Sequence, residues 1–297
     1  MLAFPTSRAY VYPEAMNSGT VTGAAFSLGA AGIWGGADFA GGIATKRANV
    51  FRVVAGAQIC GLIFMLVLAW LSGEPMPPHS SLYWGIVAGL ADAFGVAALY
   101  QGLARGRMGM VAPVASVITA VLPVLFGLGT EGLPGRLQLA GFVLAVVSIW
   151  FIARPEGQID SHRGLGLAVL AGVMFGVLLI SGRQAGLHGG VFWPLVAART
   201  ASTVLMFGIV AFAASDSRSI RAAIVPIVLS GVFDSGANAL FIVATRHGRL
   251  DVAAVLSSLY PASTVILARV LLKERISAMQ TVGIVGALAA VALISAR

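Results

Sequence analysis

One pattern of long apolar runs occurs twice in this chain, and the doubling limits its folds more than any single motif does. Residues 81–154 run from Ser81 through Asp92, Gly106-Arg107 and Ser116 to Gly141. A shift of 142 positions lands on Ala223, Asp234, Gly248-Arg249, Ser258 and Gly283. With a shift of 141, Gly23, Gly35, Gly41 and Phe51 fall on Gly164, Gly176, Gly182 and Phe192. Two copies of one unit therefore account for nearly the whole sequence. Each copy is a series of apolar runs parted by short polar turns, so the fold follows from what an apolar run of that length can be.

Stretches such as 56–71 and 164–182 approach the roughly 20 residues that a helix needs to cross about 30 Å of hydrocarbon. Composition decides whether hydrocarbon is the solvent. Hydrophobic residues make up 58% of the chain and charged residues 10%, against roughly a quarter charged in a soluble domain. In water such a chain would expose large apolar patches. A bilayer leaves helices or a closed barrel, because every backbone group must be satisfied internally. The alternation that a barrel strand requires is absent, so the expected fold class is an all-α polytopic membrane protein.

Ten helices are expected, at about 23–44, 50–72, 81–103, 109–128, 137–154, 164–184, 191–213, 222–245, 251–270 and 277–296. The expected organisation is an N-terminal tail over 1–22, a first repeat over 23–154, a linker over 155–163 and a second repeat over 164–297. The tail contains Pro5, Pro13 and Glu14 and lacks the apolar core of a secretory signal peptide. Five helices per copy is an odd number, so the second copy enters the membrane from the opposite side. Inverted repeats of this kind are the architecture of secondary transporters, with the substrate near the midplane between the copies.

Several function classes lose their support here. The single cysteine, Cys60, lies inside an apolar run and excludes an intrachain disulfide or a cysteine metal cluster. The four histidines have no metal-like spacing, so neither a metal nor a cofactor is expected. The net charge of +8 is spread over many loops rather than clustered, which suits basic cytoplasmic loops better than nucleic acid. Partners are then a small-molecule substrate and membrane lipid, with a homodimer left open. Ten Lys and Arg follow the odd-numbered helices and six lie on the other side, a count that by itself puts both termini outside.

Ionisable groups at membrane depth usually face a bundle interior or a wet cavity. Asp92 and Asp234 occupy equivalent repeat positions near the centres of helices 3 and 8, Asp38 lies in helix 1 and Arg199 in helix 7. Helical spacing puts Asp234 on a face with Asn238, Trp34 on one with Asp38, and Ser257, Tyr260 and Thr264 on a third. The candidate cavity is thus Trp34, Asp38, Arg199, Asn238, Ser257 and Tyr260. Arg199 could take a substrate carboxylate through its fork of donors, or simply balance one of the acids. Asp92 and Asp234 are candidates for proton coupling or for architecture. The repeat partner of Arg199 is neutral Gln58.

Glycines at Gly32/Gly36, Gly85/Gly89 and Gly172/Gly176 have the four-residue spacing of close helix contact. Pro113, Pro123, Pro194 and Pro261 are expected to kink helices, and a kink at Tyr260-Pro261 would turn backbone carbonyls toward a cavity. An enzyme is not expected, since no catalytic set occurs within the apolar spans. The competing class is a non-transporting scaffold, or an intramembrane enzyme using Asp92 and Asp234.

The run from Val252 through Ser257 and Tyr260-Pro261 to Lys273-Glu274-Arg275-Ile276, followed by Gln280 and Gly283, resembles the signature of EamA-type members of the drug/metabolite transporter superfamily. The family's turn there reads Gly-Glu-Arg-Leu, and Lys273 stands in place of the glycine. Ala198-Arg199 is similar to the family's arginine early in a repeat's second helix. Ile180 through Gly186 is similar to the end of helix 6 in threonine/homoserine-type exporters. The resemblance spans about 23–297, and its first copy departs more, at Gln58 and at Thr130 through Gly135. It implies a carrier in the cell or inner membrane with both termini in the cytoplasm, in a family whose members export amino acids, drugs, nucleotide sugars and other metabolites. Export of an amino acid or related metabolite by alternating access is the leading expectation.

Overall fold

The computed structural model describes residues 16–105, 108–153, 164–187, 189–212, 220–271, 273 and 277–295. Its helices are α1 (Met16–Arg47), α2 (Val50–Ser72), α3 (His79–Arg105), α4 (Met108–Thr130), α5 (Arg136–Ala153), α6 (Leu165–Gly186), α7 (Phe192–Phe212), α8 (Ile224–His247), α9 (Leu250–Ser257), α10 (Tyr260–Leu271) and α11 (Ala278–Ser295). A short 3₁₀ turn, Ile220–Ala223, leads into α8. Among the described residues, six segments are long and apolar enough to cross a membrane: Val50–Ser72, His79–Leu99, Leu165–Gly186, Phe192–Phe212, Ile220–His247 and Leu250–Leu271. Val114–Thr130, Arg136–Ile152 and Ala278–Ile294 are shorter apolar helices.

The ends of these helices follow from local chemistry. The Asn49 side chain accepts from Phe51 N–H and starts α2. Gly73, at φ 62°, ends α2 in the left-handed conformation and returns its N–H to Trp70 O. Lys273 occupies the same region at φ 57°, where the family resemblance has glycine. A side chain there costs about 1–2 kcal/mol. Lys273→Gly is therefore expected to stabilise the protein by about 0.5–1 kcal/mol, read as a rise in thermal unfolding temperature in detergent. An unchanged or lower temperature would show that the backbone is held there for another reason.

Three expectations change. The N-terminal helix begins at Met16, so residues 16–22 are helical rather than tail, as no proline follows Pro13 to prevent it. Residues 1–15 and the linker 155–163 lie outside the described residues. The ninth expected helix is two: α9 stops at Ser257 and α10 starts at Tyr260. Pro261 has no N–H to give Ser257 O, and the chain tightens to Leu259 N–H→Leu256 O and Ala262 N–H→Leu259 O. Gly32, finally, faces open space, because spacing alone does not say which stripe of a helix meets a neighbour.

Packing follows the sequence repeat. Helix α1 lies against α8 as α6 lies against α3, and α5 packs on α11. A Cβ on Gly89 would collide with Ala198 O, and one on Gly231 would collide with Ala57 O. These are equivalent contacts in the two copies. A Cβ on Gly141 would fall 2.6 Å from Ile294 Cγ1, and one on Gly283 would fall 2.8 Å from Ile152 Cγ1. Gly172 and Gly176 meet α4 at Ile118 and Leu122 in the same manner. Close approach through small residues gives such helices their contact in lipid, where apolar burial provides no drive. Outside, the helices show apolar side chains to their surroundings, Trp70 at 80%, Phe212 at 94% and Leu288 at 67% exposed among them.

Candidate functional site

Four helices from the two copies bring their polar residues to one point. Arg199 on α7 is 4% exposed. Its Nη2 lies 2.5 Å from Asp234 Oδ2 on α8. Its Nη1 donates to Gln58 Oε1 on α2 at 2.6 Å and lies 3.3 Å from Asp92 Oδ2 on α3. Gln58 Nε2 donates to Asp92 Oδ2 at 2.9 Å, and Ser202 Oγ donates to Gln58 Oε1 at 3.0 Å. Gln58 and Arg199 are repeat partners, as are Asp92 and Asp234. The neutral partner thus holds one acid within its own copy while the charged one bridges both. A guanidinium so far from water needs such company, since one unpaired buried charge costs several kcal/mol.

Beside this network lies a cavity of about 100 Å³ lined by Trp34, Asp38, Asp92, Thr119, Phe175, Asp234, Ser257, Ser258 and Tyr260, with apolar Val96, Leu99, Leu178 and Leu179. Trp34 Nε1 donates to Asp234 Oδ1 at 3.0 Å. The Tyr260 hydroxyl shares a 3.3 Å contact with Ser116 Oγ, and Ser257 Oγ donates to Ala254 O at 3.2 Å. Asp38 is exposed on the cavity wall, and no side chain among the described residues bonds to it. Ser257, Ser258 and Tyr260, at the break between α9 and α10, all line this cavity.

Six of the residues singled out in the sequence therefore share one cavity: Trp34, Asp38, Asp92, Asp234, Ser257 and Tyr260. Arg199 and Asn238 line a second, smaller cavity of about 20 Å³ that also touches Asp92. Asn238 Nδ2 donates within its own helix, to Asp234 O at 2.8 Å. A substrate carboxylate could reach Arg199 Nη1 or Nη2 only by displacing Asp92, Gln58 or Asp234. Asp92 and Asp234 are each paired with Arg199 rather than sharing a proton with one another. Sequence reasoning passed over Gln58 as an imperfect copy of Arg199, although their equivalence was the signal that could have found it. Phe175 and Ser258 carried the same signal, as the repeat partners of Trp34 and Ser116, whereas Thr119 carried none.

Charged residues also tie the two copies together at one end of the bundle. Glu131, just after α4, pairs with Arg183 of α6 at 2.5 Å and accepts from Leu250 N–H at 3.0 Å. Arg249 donates to Glu131 O and Gly132 O at 3.0 and 2.7 Å while its Nη2 holds Asp251 Oδ2 at 2.7 Å. Glu74, after α2, accepts from Val191 and Phe192 N–H at 2.9 and 3.0 Å at the start of α7. Burial raises the Glu131 carboxyl above the usual glutamate range, and Arg183 opposes that rise. The hydrogen bond to Asp251 raises the Arg249 guanidinium further.

A double-mutant cycle over Glu131→Gln and Arg183→Gln is expected to give a coupling of about 1–3 kcal/mol in thermal unfolding, since the pair is partly buried. The coupling needs ionised Glu131. On acidification it should fade, starting at a higher pH than for an unburied glutamate. A coupling near zero at neutral pH would mean that the pair does not hold this end shut.

Residues 21–154 and 162–296 each match the EamA-like transporter family. No curated protein matches the chain. A solved structure described only as "Crystal structure of protein" superposes with a TM-score of 0.76 at 18% identity, over 93% of this chain and 96% of that one. At that identity the likeness shows the fold alone.

Proposed function

The chain belongs to the EamA-like transporter family, and from that membership we propose that it carries a small polar metabolite, an amino acid or related compound, out of the cell by alternating access. Membership makes it a membrane transporter of the drug/metabolite type, with a small-molecule substrate and a lipid environment. Our reading adds ten spans, α9 and α10 together forming one of them, in two inverted repeats over 23–154 and 164–297. It also places both termini in the cytoplasm, against the loop charge count.

One observation carries the proposal. The cavity is built from both copies, with Trp34 and Asp38 on one side and Asp234, Ser257 and Tyr260 on the other. A substrate held there touches two bodies that can rock against each other. In the proposed orientation, Glu131, Arg183, Arg249 and Glu74 lie at the cytoplasmic end, so loading requires those ties to part. Trp34, Asp38, Ser257 and Tyr260 are assigned to the substrate and Arg199, with Asn238 beside it, to the joint. Asp92 and Asp234 hold the joint and are the groups through which protons would couple.

The test is flux in proteoliposomes loaded with labelled amino acids and related metabolites, with a pH gradient switched on or off. Saturable efflux of one class is expected, and acceleration by the gradient would show proton coupling. Folded protein that moves nothing across a broad panel would overturn the proposal in favour of a scaffold.

A further inference from the structure

Resting on that reading, we propose that the cavity recognises its substrate by an ammonium group, its lining holding three carboxylates and no lysine or arginine. Three carboxylates, Asp38, Asp92 and Asp234, line the cavity, and Arg199 is the cation paired to two of them. With all four ionised the group carries a formal −2. A negatively charged substrate would enter against that field, with both Nη atoms of Arg199 already bonded.

A positive group finds the reverse. Asp38 is exposed on the wall with no bonded partner among the described residues. Ser258 is 2% exposed, lines the same cavity, and its Oγ has no hydrogen-bond partner among the described residues. An unpaired buried hydroxyl costs free energy until something bonds it, and an ammonium in this cavity has it and Asp38 as acceptors. Trp34, Phe175 and Tyr260 also belong to the wall, and aromatic faces attract cations. An acidic patch alone would not identify a ligand; the unsatisfied Ser258 hydroxyl and the aromatic wall are independent of it. The substrate class is then a small monoamine, and an amino acid would bind through its amino end.

Equilibrium binding to the purified full-length protein in detergent tests this with three probes per side chain. Phenylalanine, phenethylamine and N-acetylphenylalanine form one set; norvaline, butylamine and N-acetylnorvaline form the other. In at least one set the amine should bind no more weakly than its parent amino acid, and the N-acetyl acid at least tenfold more weakly than the amine. Asp38→Asn should weaken amine binding at least tenfold without lowering the unfolding temperature, because Asp38 holds no part of the fold. Binding of an N-acetyl acid at the strength of its amine, no amine binding, or amine binding unchanged in Asp38→Asn would each overturn the inference. Flux of the same probes separates the two ideas. Flux confined to N-acetyl acids would sink ammonium recognition and leave transport standing, whereas amines that bind but never cross would do the opposite.

Discussion

Replacing Arg199 with alanine is expected to lower stability by about 3–5 kcal/mol, the effect of leaving buried charges without their partner. Asp92 is 6% exposed and Gln58 is 4% exposed, so water cannot substitute for the lost guanidinium. The expected observation is a sharp fall in the monodisperse fraction and unfolding temperature in detergent. Arg199→Lys should recover part of the loss, because one ammonium cannot span Asp92 and Asp234 as two Nη atoms do. Adding Asp92→Asn and Asp234→Asn to Arg199→Ala should recover more, since neutral amides do not need the cation. An Arg199→Ala protein as stable as the parent would mean that the network is not what joins the copies. If that protein also transported at the normal rate, Arg199 would have no part in either joint or site.

The second large effect is expected where the backbones touch. Gly89→Val or Gly231→Val would drive a side chain into a carbonyl, Ala198 O in one copy and Ala57 O in the other. Overpacking a core costs typically 1–3 kcal/mol, and a backbone obstacle cannot swing away as a side chain can. Each change should therefore cost about 3 kcal/mol, at the upper end of that range, with the two of similar size because the contacts are equivalent. Gly32→Ala is the control: it meets nothing within 4 Å and should be neutral or stabilise by up to about 1 kcal/mol. Equal stabilities for Gly89→Val and Gly32→Ala would refute close backbone contact at Gly89. A loss at Gly89 with none at Gly231 would refute the symmetry.

How much of this was legible in advance depends on the range of the interaction. Helix positions are local and cooperative, so runs of apolar residues bounded by breakers such as Gly73 and Pro75 located most of them within a few residues. The grouping of Trp34 with Asp38, and of Asp234 with Asn238, also followed from helical spacing alone. The partners of Arg199 did not. Nothing local distinguishes an arginine waiting for a substrate from one held by acids on other helices, one of them, Asp92, 107 positions away in the chain. Gly32 and Gly89 likewise look alike in sequence, and only the neighbouring helix separates them.

The sequence by itself determined that the chain is helical and membrane-borne, because the mean apolarity of its runs leaves the backbone no other way to be satisfied. It also determined that the chain is double, because a repeat is a property of order along the chain. Tertiary structure alone decided which polar residues meet. It put Asp38 on a cavity wall and enclosed Arg199 between Asp92 and Asp234. The reason is geometric: in lipid, helix partners are chosen by the fit of small residues and the pairing of rare charges, which act across helices far apart in sequence.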